Sequence, residues 1–265
     1  MTYKFGPNEQ CLRRCRVITP LLLTAADKVV ENGVTVAVLD MPMMPMLMGW
    51  WQFTNRTAKA VVRLHDDGFS VEVAPLMRNL IGHAYAMNWL VDNGWPALRA
   101  IRAYSDVHRV KLANNVNATW NLPDPVTVDA APIEFKDEAD EKLHKQLLGE
   151  LSNFDNLAKA YGTPEIYPVY RHHSALSHTT AYTANPFVVA RGDNLYFATE
   201  PQDADLIIER LWVPVALLQA ANAISPFIEG NPMKKTIQKA MNDLGLPAEI
   251  LNLKRGAAPV ATAPQ

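Results

Sequence analysis

Apolar residues in this chain recur at spacings of three and four and almost never in strict alternation, a periodicity that fits helices and argues against most sheet folds. Leu76, Leu80, Ala84, Met87 and Val91 form one such stripe, and Asn93-Gly94 supplies its stop. Prolines open the other segments. Thr19 can cap a helix that starts at Pro20 and runs through LLLTAADKVVEN to Gly33. From Pro45 a helix is expected to Asp67, burying Leu47, Trp50, Trp51, Ala58, Val61 and Val62. The next is entered through Ser70 and Pro75 and ends at Asp92. Pro96 opens another ending near Trp120, with Leu98, Ile101, Ser105, His108 and Leu112 on one stripe.

Three prolines interrupt the pattern between Asn121 and Phe135, which reads as a long connection. KDEADEKLHKQLLGEL restarts a helix with its acids at the positive end of the dipole. A long helix is expected from about Asp203 to Glu229, kinked at Pro214, and a short one in MKKTIQKAMNDLG. VTVAVLD (34–40) can be a short strand or a turn of helix, and LYFA within 184–202 a short strand. The fold class is therefore all-α, an antiparallel bundle of about seven to nine helices. Residues 1–253 read as one domain, with halves 1–120 and 136–253 joined by 121–135. Residues 254–265 read as a disordered tail.

Charge limits the functional classes. With 20% charged residues and a net charge of −2, the chain has no polybasic surface for gripping nucleic acid or an anionic membrane. An RNA substrate would have to be held briefly by a local cluster of cations. The most apolar run, beginning at Leu206, contains Glu209 and Arg210 and reads as a buried core helix, not a span. MTYKFGPNEQ lacks the order of a signal peptide, so a cytoplasmic location and no membrane partner are expected. Cys11 and Cys15 lie four apart, poorly placed for a disulfide and without partners for zinc, and read as reduced thiols.

Chemistry-bearing residues concentrate in YPVYRHHSALSHTTAYTANPF (167–187), which has three of the seven histidines. On one helix Arg171, Ser174 and His178 would share a face, while Val169, His173, Leu176 and Thr180 would turn to the bundle. Arg78, Asn79 and His83 in MRNLIGH lie between apolar rows. Arg78 and His83 are about 140° apart on a regular helix, and converge only if the helix distorts near Gly82. Each group can instead be read as an inter-helix network or a solvated face. Glu141 and His144 give a single Glu-x-x-His, too little for a di-iron site, and no cofactor is expected. MPMMPMLM (41–48) reads as a binding lip or, preferably, as a helix entry tucked into the core.

RNLIGH resembles the Arg-polar-x-x-x-His motif of HEPN-type ribonucleases, and RHHSALSH the longer spacing of the same motif. The order of VAPLMRNLIGHAYAMNWL followed by YPVYRHHSALSH also resembles an uncharacterised family of helical proteins of bacteria and their mobile elements. That family carries a glutamate where this chain has Gly82. The HEPN resemblance implies a metal-independent endoribonuclease of a bacterial or phage conflict system, a toxin or defence protein. Histidine would move the proton and arginine stabilise the phosphorane. It implies His178, Arg78, Arg171 and His83 as catalytic residues and Tyr170, Ser174 and Asn79 as substrate contacts. Two motif copies meet across a homodimer in such domains; two in one chain allow the four catalytic side chains to meet within one subunit. The alternative expectation is a non-catalytic module that docks a protein partner through MLMGWW and the Tyr/Ser/His face.

Overall fold

The structure, a computed structural model, describes residues 5–36, 42–161, 163, 166–202, 207–251 and 253. Its frame is all-α. Helix α1 is Glu9–Asn32, α2 Met44–Asp66, α3 Ala74–Thr119, α4 Glu138–Ser152, α5 Phe154–Ala160 and α6 Ile166–Ala175. After α7 (Ala181–Ala184) come a two-stranded antiparallel hairpin, β1 Val188–Arg191 and β2 Asn194–Phe197, and then α8 (Ile207–Ile224), α9 (Lys234–Leu244) and α10 (Ala248–Leu251). The described residues thus form ten α-helices, more than the expected seven to nine, because α5, α7 and α10 are too short to show a periodic stripe.

Helix α8 explains the architecture. It is apolar on nearly every side, with Val213, Val215, Leu217, Leu218, Ala220 and Ile224 all buried, and a helix of that kind must be surrounded. It packs on α1, α2, α3, α9 and α10. A single apolar cluster runs from Cys11 to Leu253 and draws on both sides of the 121–135 connection. The helix is continuous through Pro214 and ends at Ile224, short of the expected Glu229, where Ser225–Phe227 tightens into a 3-10 turn. Among the described residues no helix is long and apolar enough to cross a membrane.

Other boundaries moved for identifiable reasons. Helix α1 does not start at Pro20: Asn8 caps it, its side chain accepting from the Cys11 N–H, and Pro20 lies inside. Cys11, Cys15 and Ile18, all buried, hold the extra turns against the core, and proline tolerance yields to that packing. The expected stripe on the second half of α3 also fails. Leu98 and Ile101 are buried, but Ser105, His108 and Leu112 are exposed while Ala113 is buried, so the covered face of this half is not the one the stripe marks. Gly94 adopts φ 54° and ψ −127° between the two halves, a conformation open to glycine, so the expected Asn93-Gly94 stop appears as a kink.

Of the VTVAVLD segment, residues 37–40 lie outside the described residues; Val36 bridges Ile228, and Thr35 O accepts from the Glu229 N–H. LYFA falls in β2, whose partner β1 is joined by a two-residue turn with Gly192 at φ 60°. Residues 254–265 lie outside the described residues, as do 203–206 at the expected start of the long helix and Met41 of the methionine run. Met44 and Leu47 of that run are buried, Met43 and Met46 pack half-buried against the core, and Met48 is exposed.

Candidate functional site

Helix α3 lays Met77, Leu80, Ile81 and Ala84 against the core, which leaves Arg78 at the edge of the buried face. There Arg78 Nε donates to Tyr170 Oη at 3.0 Å, and the guanidinium carbon lies 5.5 Å from the centroid of the same ring. Tyr170 stacks on Phe154 at 4.0 Å, and Phe154 meets Tyr85 edge-on at 5.2 Å. The Tyr85 hydroxyl in turn donates to Thr163 Oγ1 at 2.9 Å. A ladder of rings therefore fixes α6 against α3 and α5. Among the described residues Arg78 makes no salt bridge, so its two terminal nitrogens are not neutralised by a carboxylate.

Gly82 permits this approach without distorting the helix. A Cβ at position 82 would stand 3.9 Å from Tyr170 Cε2, an ordinary van der Waals contact. The only non-helical backbone angles inside α3 belong to Gly94, so the distortion needed to bring Arg78 and His83 together does not occur. They face different neighbours. His83 packs on Phe53 of α2 at 4.5 Å and lies edge-on to Trp50 at 6.0 Å. Its Nδ1 is 2.8 Å from the Asn79 carbonyl, which can only accept, so Nδ1 carries the proton. Burial pushes its pKa below the ordinary histidine value, despite that hydrogen bond. Asn79 itself is exposed.

The second motif changes more. Helix α6 ends at Ala175, closed by the Ser177 hydroxyl donating to His173 O at 2.7 Å. His178 therefore lies three residues beyond the helix and not on the Arg171–Ser174 face; the full seven-residue helical spacing expected of it is absent. It is exposed, and its carbonyl accepts from Thr183 Oγ1 at 3.4 Å. Arg171 is exposed over the Tyr167 ring, 6.0 Å from its centroid. Ser174, one turn after Tyr170, is half-buried. Among the described residues, no hydrogen bond, ion pair or ring contact joins Arg171 or His178 to Arg78 or His83. The two motifs meet through Tyr170 and not through four converging catalytic side chains.

The profile of a family of unknown function, DUF5677, matches residues 45–195. The chain belongs to that family. No curated protein and no solved structure matches it. The family stretch takes in Arg78, Tyr170, Arg171, Ser174 and His178, and it leaves α1, α8, α9 and α10 to this chain's flanks.

Sequence reasoning turned His173 to the bundle but missed its partner. His173 is fully buried, with Nδ1 2.8 Å from Val169 O and Nε2 3.2 Å from Glu209 Oε1. Because the carbonyl takes the Nδ1 proton, one further proton must lie between Nε2 and the carboxylate. The signal for it was present: Glu209 is an acid inside an otherwise apolar run. The roles of Phe154 and Tyr85 had no comparable signal, since nothing local distinguishes an aromatic that packs on Tyr170 from any other core ring. Among the described residues no group of three or more His, Cys, Asp or Glu side chains is arranged to hold a metal ion. Glu141 instead pairs with Lys145 at 2.6 Å, while His144 packs on Phe135 at 5.3 Å.

Proposed function

We propose that the chain is a HEPN-like, metal-independent endoribonuclease whose reacting groups lie on the α3–α6 face. The observation that carries this reading is the Arg78–Tyr170 hydrogen bond, which sets the early arginine against the helix leading into His178. Tyr170 uses Nε and leaves the terminal nitrogens of Arg78 to meet phosphate oxygens. Arg171, one residue on, brings a second guanidinium. In the reaction the ribose 2′-oxygen bonds to phosphorus as the P–O5′ bond breaks, giving a 2′,3′-cyclic phosphate. His178 takes the 2′-hydroxyl proton, the leaving 5′-oxygen gains a proton, and the two arginines offset the charge gathering on the phosphorane. Ser174 and Asn79 contact the substrate, Tyr170 orients Arg78, and His83, packed on α2, stands outside the reacting set.

The near-neutral chain predicts brief, local RNA binding, in keeping with a cytoplasmic toxin or defence protein of a bacterium or phage. Pairing of two copies is the arrangement in which His178 and Arg171 of one chain approach those of another. The docking alternative draws less support, because Leu47 and Trp51 of MLMGWW are buried and leave Met48 as its exposed apolar side chain. Purified protein incubated with single-stranded RNA in EDTA should yield fragments ending in cyclic phosphate. His178→Ala, Arg78→Ala and Arg171→Ala should each lower cleavage at least about a hundredfold with the fold intact. Cleavage that survives in His178→Ala removes the assignment.

A further inference from the structure

Away from that face, α1, α2 and α8 line a cavity of about 500 Å³ whose polar groups are only partly paired with one another. His65 in its lining is only 5% exposed, and neither ring nitrogen has a hydrogen-bond partner. Buried polar atoms left in that condition cost stability unless something completes them. Burial drives the His65 pKa down, outweighing the upward pull of Glu209, so the ring is neutral near pH 7 and offers one N–H. Two guanidiniums join it. Arg16 lines the cavity and, among the described residues, has no carboxylate partner.

Arg210 is bridged to Asp66 at 3.2 Å, but its side chain is 24% exposed against 61% for the aspartate, so the cation sits deeper than its counter-ion. Asp66, Thr19 and Cys15 also line the cavity, and the rest of its wall, Val61, Val62, Pro20 and Val213, is apolar. Two guanidiniums and a neutral imidazole, offset by the single Asp66 carboxylate, leave the lining one positive charge in excess, and beside an apolar wall they suit an anionic head on a small hydrophobic body.

We propose that this cavity is a binding site for a small phosphate monoester, its oxygens held by Arg16, Arg210 and His65 and its body packed on Val61, Val62 and Val213. A phosphate presents three terminal oxygens to three separately placed donors, which one carboxylate cannot do. Because the cavity lies between helices, a ligand there also bonds α1 to α2 and α8, so occupancy should raise thermal stability. The proposal does not depend on RNA cleavage. Calorimetric titration of the full chain with phenyl phosphate should give saturable one-to-one binding, and inorganic phosphate, lacking the apolar body, should bind more weakly.

Arg16 is exposed, so Arg16→Gln should fold normally and weaken phenyl phosphate about tenfold. His65→Gln should weaken it comparably; if that variant does not fold, displacement of the His65 ring resonances by phenyl phosphate in the wild type tests the same contact. No saturable binding of phenyl phosphate overturns the proposal, and so does binding that Arg16→Gln leaves unchanged or that leaves the His65 resonances in place.

Discussion

His172 and His173 are adjacent on α6, identical in chemistry, and opposite in circumstance. His172 is exposed beside Arg171, on the side that carries the proposed reaction; His173 is fully buried and bound at both nitrogens. A step of one residue turns a helix by about 100°, enough to carry a side chain from water to the core. Histidine abundance, the feature that drew attention to this stretch, therefore mixes a structural tie with surface groups. The buried member anchors α6 to α8 at the level where Tyr170, on the next turn back, meets Arg78.

Breaking the buried side should have the largest effect. His173→Ala leaves Glu209 without its partner inside the protein and should destabilise by about 3–5 kcal/mol in denaturant unfolding. Glu209→Gln retains a group able to donate to Nε2 and should cost less. A loss below about 1 kcal/mol in His173→Ala would mean that the buried pair is not a tie.

Acid is a broader way to press on the buried side. His65, His83 and His144 all have pKa values lowered by burial, so each is protonated more readily in the unfolded chain. Their stabilising contribution is complete above the ordinary histidine value of about 6.5 and is lost as pH falls from there toward the folded-state values. The Tm should drop across that window. Asp140, held down to about 2 by its hydrogen bonds with Arg99, adds a second loss only as pH falls below the ordinary carboxylate range. A Tm that stays flat between pH 7 and pH 5, on the scale of those values, contradicts the histidine contribution.

Tyr170→Phe removes one hydrogen bond while keeping the stack on Phe154, and should cost about 1 kcal/mol. Its sharper reading is kinetic: RNA cleavage should fall further than stability does, because Arg78 loses its orientation. Smallest is His172→Ala, an exposed change that should stay within about 0.5 kcal/mol of wild type. A larger loss there would dissolve the contrast between the two histidines.

The helical frame was legible because spacing alone determines which face is apolar, and α2 and the first half of α3 follow their stripes closely. What spacing cannot supply is coverage. Leu112 has the periodicity of a core residue yet is 63% exposed, while its neighbour Ala113 is buried. Proline rules misplaced the start of α1 because the packing of Cys11, Cys15 and Ile18 outweighed the break expected at Pro20. At the site, Arg78 and Tyr170 were both singled out, but as members of different roles. Their contact joins positions 92 residues apart, and no local pattern encodes that. The early end of α6 was equally hidden, because it rests on the Ser177 hydroxyl folding back onto His173 O.

Beyond the kink at Gly94, α3 stays in the core through Ile101 and then loses most of its tertiary support. Residues before Gly94 meet α2, α6 and α8, whereas beyond Ile101 Ala113 alone is buried and Asn117 is tied to Val126 of the 121–135 connection by two hydrogen bonds. Deuterium uptake should register this as a gradient along one helix: the turns around Leu80 to Leu90 should exchange at the rate of global unfolding, and those around His108 to Ala118 through local fraying, orders of magnitude sooner. Helix α3 is thus, in free energy, two units: a core-packed part that runs past the kink to Ile101, and a thinly covered part beyond it.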